Sequence, residues 1–161
     1  MNVTIVSFPE TKVAAISHVG PPSREHDTVR KLVDWKRKHG LLDHTIYRHY
    51  GLHYFELNQV EPSEHRVDFC LSYDGRVGQN PHGIEEKTIP AMRCALARDI
   101  GSRLNNKAAR YLFEEWLPHS GEELSGHPVV FHYVNVGPQV KDEEAITDVY
   151  LPLKESARAR R

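Results

Sequence analysis

The 161 residues carry a formal charge of −1 with histidine neutral, and 39% of them are hydrophobic and 27% charged. That balance excludes a disordered chain, which is poor in apolar residues and strongly charged, and leaves no general excess of cations to attract a nucleic-acid backbone. Cys70 and Cys94 each sit in an apolar run without metal-type spacing, which reads as buried thiols in a reducing compartment.

The opening MNVTIVSFPE has neither the basic start nor the apolar core of a signal peptide. No stretch approaches the roughly 20 apolar residues of a membrane span. A cytoplasmic protein without membrane contact is expected. Residues 2–8 and 11–19 are β-rich and separated by Pro9, and Gly20-Pro21-Pro22 ends the second run. A helix is expected at about 24–38, with Val29, Leu32, Val33 and Lys36 at helical spacing, charges on the other face and Gly40 as its stop. Strands at about 45–55 and 66–73 follow, joined by the polar stretch ELNQVEPSEH. A strand at 92–100 and a helix at about 105–117 come next; the helix carries an apolar stripe of Ala108, Ala109, Leu112, Phe113 and Trp116 and is ended by Pro118 and Gly121. Strands at about 129–136 and 145–153 complete the order, and ESARARR reads as a charged, frayed tail.

The chain repeats itself. FPETKVAAISHVG (Phe8 to Gly20) and IPAMRCALARDIG (Ile89 to Gly101) align at an offset of 81, matching Pro9 with Pro90, Lys12 with Arg93, Ala14 with Ala95 and Gly20 with Gly101. Asp34-Trp35 meets Glu115-Trp116 at the same offset, and Asp68-Phe-Cys-Leu71 meets Asp148-Val-Tyr-Leu151 at an offset of 80. Shared order and a nearly constant offset imply two copies of one folding unit. The expected fold class is therefore α+β: tandem β-α-β-β units with pseudo-twofold symmetry, antiparallel sheets and two main helices. One ligand-binding domain over 1–154 is expected, with a first repeat at about 1–80, a second at about 82–154 and a tail at 155–161. A docked pair of this kind leaves a cleft where ligands bind.

Eleven histidines invite a metal reading, above all His39, His44, His49 and His53. Gly40, Gly51 and the β-rich TIYRHYGLHYF interrupt any continuous helix, so these imidazoles do not share one helical face, and neither metal nor cofactor is expected. Nucleophilic catalysis finds no pattern either: Cys70 lacks a visible base, and His119-Ser120 is adjacency, not a triad. An enzyme is the less favoured expectation; Asp148 with Tyr133 or Tyr150 would be its acid–tyrosine pair.

WLPHSGEEL, PVVFHYVNV and TDVYLPLK resemble the C-terminal half of GyrI-like domains, YGLHYFELNQVEPSEHRVDFCLSY resembles the end of their first half, and IPAMRCALARDIG resembles the start of their second. The resemblance spans residues 2 to 154. It implies the duplicated β-α-β-β fold, the effector-binding domain of AraC-type and multidrug-responsive regulators. Other members stand alone and bind small molecules, one type inhibits DNA gyrase, and some hydrolyse reactive natural products. The family's acidic residue on the last strand, often Glu, corresponds to Asp148, and the shorter side chain departs from glutamate-dependent catalysis. With the ligand domain beginning at residue 2, neither a preceding helix-turn-helix pair nor direct DNA reading is expected.

These readings nominate a small-molecule site. Asp148, in an otherwise apolar strand, supplies negative charge, since a carboxylate there needs a partner or solvent. Asp68 is its repeat-mate, with Arg66 on the same strand face. Trp116, Trp35, Tyr133, Phe131, Tyr150 and Tyr54 supply flat apolar surface for an amphipathic, aromatic or cationic ligand. The expected role is a stand-alone binding protein in transcription regulation or toxin and drug response. The alternatives are an interaction module whose partner is DNA gyrase or another regulatory protein, and a hydrolase of reactive small molecules.

Overall fold

The computed structural model describes residues 1–54, 61 and 64–155. Most of the polar connection at 56–65, and the tail beyond Glu155, lie outside the described residues. The architecture is α+β, of antiparallel strands carrying two helical segments, and falls into two compact units, Thr11–Ile89 and Met1–Glu10 with Pro90–Arg161. Among the described residues no helix is long and apolar enough to cross a membrane.

In the unit Thr11–Ile89 four strands lie in the order β3 (His49–Tyr54), β4 (Arg66–Ser72), β2 (Thr11–Val19), β5 (Glu85–Ile89), all antiparallel. Helix α1 (Glu25–Lys38) packs on one side. Acids in its first turn and Arg37 and Lys38 in its last complement the helix dipole. Gly40 then turns left-handed at φ 69°, and the Leu41 amide donates back to the Lys36 carbonyl over 2.9 Å, closing the helix end. Leu32 and Trp35 press onto Ala14 and Ile16 of β2 and Leu71 of β4, with Leu41 and Ile84 completing the core. Because side chains alternate along a strand, this fixes the other face as that of Ser17, Tyr54, Arg66 and Asp68.

The other unit orders β1 (Thr4–Phe8), β6 (Met92–Ile100), β8 (Ile146–Pro152) and β7 (Val129–Tyr133), again antiparallel. Each passage of the chain from one unit to the other lies beside a proline, Pro9 or Pro90. Pro9 and Pro90 have no amide hydrogen to extend a ladder, so β1 pairs with β6 and β2 with β5 instead of β1 with β2. The compact units therefore follow different boundaries from the sequence repeat. Helix α2 (Lys107–Tyr111) is capped by Asn106, whose side chain accepts from the Ala109 amide at 3.0 Å, and the buried Asp99 accepts from Lys107 N at 3.2 Å. It runs into a π-helical turn, Leu112–Trp116, and then α3 (Leu117–Ser120). Ala108, Leu112 and Phe113 are buried.

The helix does not end at about 117 before Pro118 but runs on to the second expected stop, Gly121. The Leu117 amide reaches back to Leu112 O, a five-residue step that widens the turn before the proline, so the helix continues to Ser120 and stops at left-handed Gly121. Strand β5 was absent from the expectations because EEKTI alternates charges at a sheet edge and carries little apolar signal. The expected strand at 45–55 begins only at His49, since Asp43 caps a tight turn through Thr45 and Tyr47. Gly20 and Gly101 confirm the repeat in the backbone. Their φ angles are 132° and 138°, and each amide donates over 2.8 Å, to His65 O and Ala145 O respectively.

Candidate functional site: two paired carboxylates and an aromatic groove

Asp68 is fully buried on the face of its unit opposite α1. Its Oδ1 accepts from Ser17 Oγ at 2.5 Å; its Oδ2 accepts from Tyr54 OH at 2.8 Å, from Lys87 Nζ and, at 3.4 Å, from Arg66. Lys87 also donates to Tyr54 OH over 3.0 Å, and the Arg66 guanidinium lies 4.0 Å from the centre of the tyrosine ring. Burial pushes the Asp68 carboxyl up, but the bonds from Lys87, Ser17 and Tyr54 outweigh it and hold the group below the usual carboxylate range. The Tyr54 phenol is raised, chiefly by burial. The expected Arg66–Asp68 pairing is present, and Lys87, a residue the sequence reading did not nominate, is the closer cation.

Asp148 has the corresponding place in the other unit. Arg98, opposite it on β6, grips both carboxylate oxygens at 2.7 and 3.0 Å. The Asp148 side chain is 10% exposed and that of Arg98 53%, so the pair has one buried and one wet partner. The fork matches the planar carboxylate and raises the guanidinium further. Tyr150 lies on the same strand face as Asp148 and meets Phe8 edge-on at 5.0 Å. Tyr133 and Phe131 do not join this group, because they alternate with His132, the residue opposite Asp148. Tyr133 instead lies 5.2 Å from the Arg103 guanidinium, which bonds Thr147 Oγ1, Asn135 O and Ile146 O.

The tryptophans occupy different settings although they are repeat-mates. Trp35 is 2% exposed inside the core, edge-on to Tyr73 at 5.7 Å. Trp116 is only partly buried and lines an open groove of about 440 Å³ with Tyr111, Glu114, Glu115, His119 and Ser120. The groove is built by the π turn, and His119 Nδ1 donates to the Glu115 carbonyl over 2.8 Å. Two aromatic rings and two exposed carboxylates on one wall are suited to a flat cation. Of the nominated residues the groove takes Trp116 alone. Tyr111, Glu114 and Glu115 were not nominated, although spacings of three to five residues on a helix were a signal that could have found them.

The chain matches the model of the GyrI-like small molecule binding domain over residues 1–154. It is 29% identical over 154 residues to the "Probable transcriptional regulator YgiV" of Escherichia coli K12, covering 95% of this chain and 96% of that one. It is 26% identical over 160 residues to the DNA gyrase inhibitor of Erwinia billingiae, covering 97% and 99%. The crystal structure of the EcmrR C-terminal domain superposes with a TM-score of 0.74 at 18% identity, over 96% of this chain and 98% of that one. In the EcmrR–DNA complex the TM-score is 0.75 at 16% identity, and this chain spans 58% of that longer chain. SAV2435 bound to tetraphenylphosphonium superposes with a TM-score of 0.55 at 13% identity, over 96% and 94%. The repeated strand–helix unit and the match over 154 residues together make this chain a member of the GyrI-like small molecule binding domain family.

Proposed function

We propose that the protein captures amphipathic aromatic cations in the Trp116 groove and acts in transcription regulation or in the response to toxic compounds. The observation that carries the ligand class is the placement of Trp116 and Tyr111 beside Glu114 and Glu115 around one concavity. An indole face attracts a desolvated cation by about 2 kcal/mol, and neighbouring carboxylates add to that attraction. The structural neighbour bound to tetraphenylphosphonium and the regulator YgiV support ligand class and role respectively. Asp148 enters the reading as a second anion, available to a cation that displaces Arg98 and stacks on Tyr150.

The test is a tetraphenylphosphonium titration followed by calorimetry. Trp116→Ala should weaken binding about tenfold, the equivalent of about 1.4 kcal/mol, and Glu115→Gln several-fold. Binding lost in Asp148→Ala but intact in Trp116→Ala would move the site to the strand face. An inert wild type would discard the cation class.

A second reading is a protein partner of the kind met by the gyrase inhibitor, to which this chain is similar. Ile100 at 62% exposure and Leu104 at 97% leave apolar surface beside the β6 end, the sort of patch that marks an interaction site. Inhibition of gyrase supercoiling by the wild type, relieved by Leu104→Asp, would favour it; unchanged supercoiling at excess protein would discard it.

A further inference from the structure

Lys36 lies on the buried face of α1 and is 8% exposed. Its amine meets an imidazole nitrogen, His49 Nε2 on β3, at 2.8 Å. Among the described residues no carboxylate forms a salt bridge with it, and burial lowers the amine's proton affinity below the usual lysine range. An ammonium is among the most expensive groups to place in such surroundings.

The internal repeat shows that the fold does not require this pair. At the offset of 81 that aligns Trp35 with Trp116, Lys36 corresponds to Leu117. His49 corresponds to Val130 at that offset and to Val129 at the strand offset of 80, both buried. One copy carries leucine and valine where the other places an amine against an imidazole. Lysines relieved of their proton by burial are the ones that attack carbonyl carbon.

We propose that Lys36 is a nucleophilic amine that condenses with small aldehydes, with His49 as its proton acceptor. The neutral amine attacks the carbonyl carbon, a C–N bond forms, and the carbonyl π pair moves to oxygen. His49 Nε2 takes the two protons that nitrogen loses, one after the other, and passes each to the oxygen: the first gives the carbinolamine hydroxyl, and the second lets that hydroxyl leave as water while the nitrogen lone pair forms the C=N bond. The products are an imine and one water, with no oxidant or reductant consumed. The narrow exposure of Lys36 restricts the partner to slim aldehydes.

The experiment treats the full chain with propanal and cyanoborohydride at pH 7 and reads each lysine by peptide mass spectrometry. Lys36 should be propylated ahead of Lys154, whose side chain is 52% exposed. His49→Gln should slow Lys36 several-fold and leave Lys154 unchanged. Lys36→Met should abolish the adduct at that peptide and melt no lower than wild type, as Leu117 at the matching place predicts. Modification of Lys36 after Lys154, an unchanged rate in His49→Gln, or a strongly destabilised Lys36→Met would each overturn the proposal.

Discussion

Replacing Asp68 by alanine removes the acceptor on which Ser17, Tyr54, Lys87 and Arg66 converge. Removing one member of a buried ion pair costs 3–5 kcal/mol when the remaining charge stays in the dark. Here the orphaned cations are partly wet, with side-chain exposures of 34% for Lys87 and 41% for Arg66, so solvent recovers part of that loss. The hydroxyls of Ser17 and Tyr54 each lose a bond worth about 1 kcal/mol. The expected destabilisation is about 3 kcal/mol, or about 6–12 °C in melting temperature for a chain of this size. Lys87→Met should cost at least as much, because the acid it deserts is wholly buried. The pH dependence follows from the sign of the shift. Asp68 is held below its unfolded value, so its contribution is complete above about pH 4 and is lost as pH falls through the folded value, where the unfolded chain binds the proton first. Circular-dichroism melts from pH 7 to pH 3 read both effects, and Asp68→Ala should show a shallower acid limb. A melting shift under about 2 °C with an unchanged acid limb would refute the assignment of Asp68 as the hub of this face.

The Asp148–Arg98 pair predicts an asymmetry. Asp148→Ala leaves a half-exposed Arg98 that can turn to water and should cost about 1 kcal/mol, whereas Arg98→Ala strands a nearly buried carboxylate and should cost about 2 kcal/mol. Urea midpoints in the reverse order would contradict the geometry. The two thiols should be silent toward a disulfide reagent in the native protein: both are buried, and burial pushes the Cys94 thiol up to about 12 and the Cys70 thiol above its ordinary value. Rapid labelling of either without denaturant would mean that its strand opens readily.

Period and punctuation settled a large share of this protein before any coordinate. The 3.6-residue spacing of Val29, Leu32 and Val33 located α1 to within a residue, and the bounds of β2 and of β6 match those expected. The offset of 81 announced the duplication that Gly20 and Gly101 repeat in their backbone angles. These features are local, and local sequence encodes them because each depends on spacing, on a missing amide hydrogen or on the absence of a Cβ. The resemblance to GyrI-like domains rested on the same ordered landmarks.

What only the tertiary structure decided is who stands beside whom. Arg98 reaches Asp148 from 50 residues away and Lys87 reaches Asp68 from 19, and nothing in either strand's own sequence names its partner. Trp35 and Trp116 occupy matching places in the repeat, yet one fills a core and the other lines an open groove. The strand exchange at Pro9 and Pro90 and the π turn before Pro118 depend on which hydrogen-bond partners remain after the proline withdraws its own. A sequence determines which residues seek burial or a counter-charge; which neighbour satisfies them is set by strand register and packing across the fold, where contacts distant in the chain compete.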